Sequence, residues 1–217
     1  MKILETGGIT HMELIPGGTA GWYYGISYEH GDLYEAEEIF KDGREVEGRK
    51  LCLIRYPEGT VYWPILKTPG TYAGEPVYYD GYIYLLVVDF RQALIRILRF
   101  SCTDFHIETV TEIPLKDIPD CYNLRLTVSP PTLTRQGPDG SFDIIWPERS
   151  SFCIDVHDSF FVRESDRLFF SRWHEEGEGE KYRYWEETVI RNLSGEETAM
   201  LPGDVKRMPD GELWHLY

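Results

Sequence analysis

Turn signals recur along this chain at near-regular intervals, and this repetition restricts the fold more than any other feature. Glycine separates runs of β-branched and aromatic residues at positions 7–8, 31–32, 58–59, 80–81, 139–140, 194–195 and 210–211. Glycine supplies the positive φ that tight hairpin turns need, and the neighbouring aspartates tolerate the same region. The chain is therefore predicted to be a series of short antiparallel hairpins.

One hairpin pattern returns along the whole chain. Residues 3–16 resemble residues 189–202, and residues 51–69, 94–114 and 142–157 are looser copies. Each copy is a strand, a turn, a second strand and a break, and the copies end near residues 16, 69, 114, 157 and 202. The spacing of 43 to 53 residues suits four short antiparallel strands with their turns.

A second pair of strands is predicted between successive copies. The pairs are 22–28 with 33–40, 77–79 with 82–89, 124–128 with 132–136, and 160–164 with 167–173. Residues 33–40 and 90–100 also fit a helical period, but their place in the repeat assigns them to strands. A fifth unit begins at residues 205–208 and 212–217 and stops halfway, so residues 3–15 are predicted to complete it.

The hydrophobic pattern separates this arrangement from a two-layer sheet. Residues 82–88 are apolar on both faces, whereas a sandwich strand normally has one polar face. Residues 106–112 alternate with charge, as expected for an outer edge strand. A β-sandwich or jelly roll of similar strand count is the alternative.

By period and strand order, the chain resembles β-propeller repeat proteins over its whole length. It has no kelch Gly-Gly motif, no Trp-Asp strand ending and no Asp-box, so it resembles no particular propeller family. The resemblance implies one all-β domain over residues 1–217, a five-bladed β-propeller of four-stranded antiparallel blades. Its last blade would be closed by the N- and C-terminal strands.

Charge and composition exclude several kinds of partner. The net charge of −15, with no basic stripe, disfavours nucleic acid and anionic membrane surfaces. No signal-peptide pattern is visible at the N-terminus, so a cytoplasmic location is expected. The four cysteines are widely spaced, which indicates buried thiols rather than disulfides or a zinc site. No metal or cofactor is predicted.

No catalytic string motif is present, and a short polar segment supplies the first candidate site. Asp155 and His157 are two residues apart, which would place them on one face of a strand, with Asp158 beside them. A carboxylate and an imidazole on one face can ligate a cation or exchange a proton. The alternative is that the two aspartates cap turns and His157 is an ordinary surface residue.

Two aromatic residues supply the second candidate site. Tyr182 and Trp185 follow the acidic, glycine-interrupted segment 174–180, which is itself predicted to be a solvated hairpin loop. Exposed aromatic rings offer flat apolar area for sugars or planar ligands. The alternative is that these rings pack between sheets.

Two functions are compatible with these features. The first is a non-catalytic binding protein that presents top-face loops to a small molecule, a glycan or a protein. The second is a glycoside hydrolase that uses paired carboxylates, an analogy drawn from the fold alone. The short loops and missing catalytic motifs favour the first.

The first prediction follows from charge. We expect no measurable binding to duplex DNA or to anionic vesicles at physiological salt, because the chain carries a net charge of −15. Fluorescence anisotropy and vesicle sedimentation measure this. Micromolar binding that weakens steeply as salt increases would contradict it.

Overall fold

The computed structural model describes residues 1–17, 21–27, 31–208 and 210–217. In these residues the strands form five antiparallel sheets that follow one another along the chain. Successive sheets are separated near residues 69, 114, 157 and 202, where the repeat predicted the breaks. The all-β class is confirmed, and three of the five sheets have the expected four antiparallel strands, while one has five and the last has two.

Each sheet is built from consecutive strands. Sheet 1 contains β1 (Glu13–Leu14), β2 (Trp22–Ile26), β3 (Leu51–Arg55) and β4 (Thr60–Ile65). Sheet 2 contains β5 (Thr71–Ala73), β6 (Val77–Tyr79), β7 (Tyr82–Asp89), β8 (Leu94–Ser101) and β9 (Ile107–Pro114). Sheet 3 contains β10 (Arg125–Thr127), β11 (Thr132–Gln136), β12 (Ser141–Trp146) and β13 (Ser150–Cys153).

The remaining strands form a long sheet and a short one. Sheet 4 contains β14 (Asp158–Glu164), β15 (Arg167–Glu176), β16 (Arg183–Asn192) and β17 (Glu197–Pro202). Sheet 5 contains β18 (Asp204–Arg207) and β19 (Leu213–Leu216). Two short 3₁₀ helices occupy Leu115–Asp117 and Gly179–Lys181.

The residues of the predicted turns determine how the flanking strands pair. At the β6–β7 turn, Asp80 and Gly81 both have positive φ, 47° and 82°, as a two-residue type I′ hairpin requires. Val77 consequently lies opposite Tyr84. The predicted pairs 77–79 with 82–89, 124–128 with 132–136 and 160–164 with 167–173 are all formed.

The strand assignment of residues 33–40 was wrong, because this segment is the helix α1 (Leu33–Lys41). Asp32 caps it: the Asp32 side chain accepts from the Glu35 backbone N–H, and the Glu35 carboxylate accepts from the Asp32 N–H. Leu33 and Ala36 are buried on one face. β2 therefore pairs with β3 and not with residues 33–40. The strand prediction for residues 90–100 is confirmed, since β8 occupies most of that range.

The predicted pairing of the two chain ends is not formed. Residues 1–12 contain no strand, and β1 pairs with β2. In the described residues β19 pairs only with β18, so the C-terminal segment forms an edge and not an inner strand. The N-terminal segment packs instead across the outer face of sheet 1, where Leu4 and Ile9 contact a cluster that contains Cys52 and Ile54.

Hydrophobic clusters join the sheets in series. One cluster joins sheets 1 and 2 through Leu53 and Leu85, and a larger one joins α1, sheet 2 and sheet 3. Phe142 and Phe170 belong to the cluster between sheets 3 and 4, and Val205 belongs to the cluster between sheets 4 and 5. In the described residues, no hydrophobic cluster or strand pair joins sheet 5 back to sheet 1.

The second prediction tests this serial packing. Phe142 is fully buried, with its ring centroid 4.9 Å from Phe160 and 5.1 Å from Phe170. We expect Phe142→Ala to lower the free energy of unfolding by about 3–5 kcal/mol, through lost burial and a residual cavity. Urea denaturation followed by far-ultraviolet circular dichroism measures this.

The matched control is Val156→Ala, at a side chain that is 72% exposed. We expect that change to stay within about 0.5 kcal/mol. Equal effects of the two substitutions would mean that sheets 3 and 4 do not depend on one shared core.

Candidate functional site

Strands of four successive sheets and the turn after β1 meet at one cavity of about 470 Å³. Its wall includes Pro16 after β1, Val77 in β6, Leu126 in β10, Val162 in β14 and Arg207 in β18. Sheets 2 to 5 therefore contribute to the same cavity, although they follow one another along the chain. This convergence makes the cavity the candidate site.

A gap between β5 and β6 gives the cavity part of its wall. Gly74, Glu75 and Pro76 interrupt the strand that pairs with β7, and all three line the cavity. The Gly74 backbone N–H still donates to the Leu86 carbonyl at 2.9 Å. Proline has no N–H to continue the ladder, which explains the break at this point. Glu75 is exposed and projects from the gap.

Helix α1 forms a second part of the wall. Its cap residue Asp32 and its first residues Leu33 and Tyr34 line the cavity. The Tyr34 ring meets the Tyr122 ring edge-on, with centroids 5.2 Å apart. The capping interaction with Glu35 holds Asp32 in place, so this carboxylate has a structural role at the edge of the cavity.

A buried tyrosine provides a polar group on the same wall. Tyr72 accepts a hydrogen bond of 2.7 Å from Arg49 Nη1, and the Arg49 guanidinium lies 4.1 Å from the ring centroid. Burial raises the pKa of the Tyr72 hydroxyl, so the group is neutral at physiological pH.

Arg125 brings a positive charge into the cavity. Its side chain is exposed and lines the cavity, and desolvation lowers the pKa of its guanidinium. Its Nη2 donates to the Phe160 carbonyl, and the guanidinium lies 5.5 Å from the Phe160 ring centroid. Arg125 also borders a neighbouring polar cavity of about 220 Å³ that includes Gln136 and Ser159.

Arg207 brings a second guanidinium from sheet 5. Its Nη2 donates to the Val128 carbonyl at 3.1 Å, and its Nη1 is 3.5 Å from the Gly211 carbonyl. Desolvation lowers the pKa of this group also. In the described part of the chain, no carboxylate lies within ion-pair distance of Arg125 or Arg207.

The predicted pair Asp155 and His157 does meet, but in a turn and not on a strand. His157 Nδ1 is 2.9 Å from Asp155 Oδ1, and both side chains are nearly half exposed. The His157 backbone N–H also donates to that carboxylate, and this bond is the main cause of the lowered Asp155 pKa. The His157 ring meets the edge of Trp173 at 4.4 Å. The turn joins sheet 3 to sheet 4, as the repeat predicted.

Asp158 lies apart from this pair and is completely buried. Its carboxylate pairs with Arg172 at 2.5 Å and with Arg191 at 2.9 Å. Glu197 completes the cluster by pairing with both arginines at 2.9 and 2.7 Å. Both Asp158 oxygens are thus occupied inside sheet 4, in a structural ion cluster.

Tyr182 and Trp185 lie on the β15–β16 hairpin and are 51% and 40% exposed. The Trp185 ring stacks on His174, with centroids 4.9 Å apart and planes 8° apart. His174 Nε2 is in turn 2.8 Å from Glu187. Their role in binding stays a prediction.

None of the five sequence-predicted residues lines the cavity. The cavity residues were missed because Arg125, between Leu124 and Leu126, reads as a strand position that faces solvent. The repeat offered a usable signal: the early strands of the later units can be located in the sequence, and β6, β10, β14 and β18 line the cavity.

Further findings concern metal binding, membrane spans and similarity to known proteins. In the described residues, no group of three or more His, Cys, Asp or Glu side chains is arranged to hold a metal ion. Nor does any described helix have the length and apolar character needed to cross a membrane. No protein-family model matches the chain, and no curated protein matches its sequence significantly.

The third prediction concerns Asp158. Asp158→Asn removes the charge that two buried guanidiniums share, so we expect the free energy of unfolding to fall by about 3–5 kcal/mol. Asp155→Asn, at an exposed pair, is the matched control and should cost less than about 1 kcal/mol. Urea unfolding of both variants measures this. A mild effect of Asp158→Asn would argue that its carboxylate is not part of the stabilising cluster.

Proposed function

We propose that this chain is a propeller-type binding protein that holds a small molecule in the cavity where its sheets converge. The five sheets correspond to five blades, of which the last has two strands. The observation that carries the proposal is the cavity of about 470 Å³, which is lined by strands of sheets 2 to 5 and by Pro16 in the turn after β1.

The order of the hydrophobic clusters supports a propeller-type arrangement over a sandwich. A sandwich has two sheets that share one core, whereas here separate clusters lie between sheets 1 and 2, 2 and 3, 3 and 4, and 4 and 5. Propeller blades pack face to face around a central channel. A cavity that lies between strands of successive sheets is what that arrangement produces.

The size and lining of the cavity support a small ligand. Small-molecule sites generally measure about 300–1,000 Å³ and combine apolar walls with a few polar groups. Leu33, Val77 and Leu126 provide the apolar wall, while Arg125 and Arg207 provide polar groups. A large partner such as a protein would need an open surface instead.

The carboxylates of the cavity favour binding over glycoside hydrolysis. Asp32 and Glu75 are the acidic residues among the described lining. Asp32 accepts the helix-capping hydrogen bond, and Glu75 is exposed. A hydrolase of this kind needs one carboxyl group kept protonated in an apolar setting, beside a second that is ionised.

The fourth prediction tests occupancy of the cavity with two small aromatic probes, neutral benzamide and anionic benzoate. We expect at least one to cause saturable amide chemical-shift changes at β10 and β14 in ¹H–¹⁵N spectra. Thr127→Phe, which places a ring in the cavity wall, should abolish these changes because it fills the space the probe occupies.

The matched control is Thr109→Phe, on the exposed edge strand β9. Probe binding should survive that change, and melting curves will show that both variants are folded. If neither probe shifts the resonances of β10 or β14, or if Thr127→Phe binds as well as the native chain, the proposed function is wrong.

A further inference from the structure

We infer that the ligand of the cavity is a small organic anion whose carboxylate or phosphate group is held by Arg125 and Arg207. This inference rests on the proposed function and names the chemical class of the ligand. It comes from the pairing of charges across the whole chain.

Most arginines of this acidic chain have a carboxylate partner. Eleven of the fifteen form ion pairs: Arg44, Arg55, Arg91, Arg96, Arg99, Arg135, Arg149, Arg163, Arg167, Arg172 and Arg191. In the described residues, Arg125, Arg183 and Arg207 have no carboxylate within ion-pair distance. Arg125 and Arg183 are both exposed, but Arg183 lies on the β15–β16 hairpin, whereas Arg125 and Arg207 line the same cavity.

Arg125 is exposed and Arg207 is half-buried, and both guanidiniums line the cavity without an ion-pair partner in the described residues. Desolvation is the main cause of the lowered pKa of both groups, and the more distant Glu75 and Glu164 act in the opposite direction on Arg125 and Arg207 respectively. The chain has 37 acidic residues and 22 basic ones, so it contains enough carboxylates to pair with every arginine. A bound anion supplies the missing charge.

The hydrogen-bond inventory leaves donors for such a ligand. A guanidinium has five N–H groups, and in the described residues Arg125 uses one of them, toward the Phe160 carbonyl. Arg207 uses two of its N–H groups, toward the backbone carbonyls of Val128 and Gly211. These bonds to neutral acceptors fix each side chain and leave its charge uncompensated. The planar fork of a guanidinium suits the paired oxygens of carboxylate and phosphate.

The neighbouring polar groups keep Arg125 in position. Gln136 donates from Nε2 to the Asp158 carbonyl at 2.7 Å, and its Oε1 accepts from the Phe160 N–H at 2.9 Å. This amide therefore ties β11 to β14, the strand whose Phe160 carbonyl receives the Arg125 hydrogen bond. The guanidinium is held before any ligand arrives, which reduces the entropic cost of binding.

The acidic residues of the cavity limit the charge of the ligand. Glu75 acts on Arg125 across the cavity at more than ion-pair distance, and Asp32 lies near Tyr72. Together with the net charge of −15, these carboxylates disfavour polyanions such as nucleic acids. One or two negative charges on a partly apolar body match the two arginines and the apolar wall.

The test compares benzoate and phenyl phosphate with benzamide, which has similar shape and no charge. Binding is measured by isothermal titration and by the Arg Nε–Hε resonances in ¹H–¹⁵N spectra. We expect each anion that fits to bind at least about tenfold more tightly than benzamide, because charge-assisted hydrogen bonds add to the apolar contact. Benzoate against phenyl phosphate distinguishes a carboxylate ligand from a phosphate ligand.

Substitutions of single arginines test which residues bind the anionic group. Arg125→Gln and Arg207→Gln should each weaken anion binding at least about tenfold and weaken benzamide binding much less, because the charge contact is made by the anions alone. Arg125→Lys should recover part of the affinity. Arg183→Gln, which removes an exposed guanidinium, is the matched control and should bind as the native chain does.

The outcomes separate the two proposals. If benzamide binds in the cavity as tightly as the anions, the proposed function stands and the anionic ligand is excluded. If anions bind but Arg125→Gln, Arg207→Gln and Arg183→Gln bind equally well, the assignment to the two cavity arginines is wrong. If no probe binds, both proposals fail.

Discussion

Face-to-face burial of the sheets is the interaction on which the rest of this structure depends. The middle strands are apolar on both sides: β7 is buried at nearly every position, and Leu168, Phe169 and Phe170 of β15 are all buried. A sheet of this kind has no face that it can leave in water, so each one requires a neighbour on both sides. The serial clusters from Leu53 to Val205 are the result.

The same requirement explains how the first sheet is covered. Its outer face, which contains Cys52 and Ile54, is covered by the irregular N-terminal segment through Leu4 and Ile9. Burial thus needs apolar side chains at the right place, and it does not need a strand to carry them. The expected hairpin of residues 3–15 fails for this reason, since packing and not pairing holds the segment.

Charge is distributed in two ways in this acidic chain. Inside sheet 4, Asp158 and Glu197 neutralise Arg172 and Arg191, and the cluster contributes to the structure. In the cavity, Arg125 and Arg207 donate to backbone carbonyls, and neither forms an ion pair with a carboxylate of the described residues. The contrast between neutralised and uncompensated arginines separates stabilising groups from groups available to a ligand.

Much of the fold could be predicted from the sequence, because turn chemistry and strand composition are local. Gly and Asp at the turns determine the hairpins, as Asp80 and Gly81 do for β6 and β7, and the repeat determined where each sheet ends. Helix α1 was missed although its capping box, Asp32 and Glu35, is also local. At residues 33–40 the local capping and helical period determine the structure, and the longer repeat does not.

The candidate site could be predicted only in small part. The contact between Asp155 and His157 follows from their spacing, and their turn lies where the repeat breaks. The sequence by itself determined the β class, the hairpins, the unit boundaries and the acidic surface, since each depends on neighbouring residues or on composition. Only the tertiary structure decided that Arg125 and Arg207, 82 positions apart in the sequence, line one cavity, and that Asp158 is buried between arginines. Those relations depend on how separate sheets pack, and no local pattern encodes the distance between side chains on different sheets.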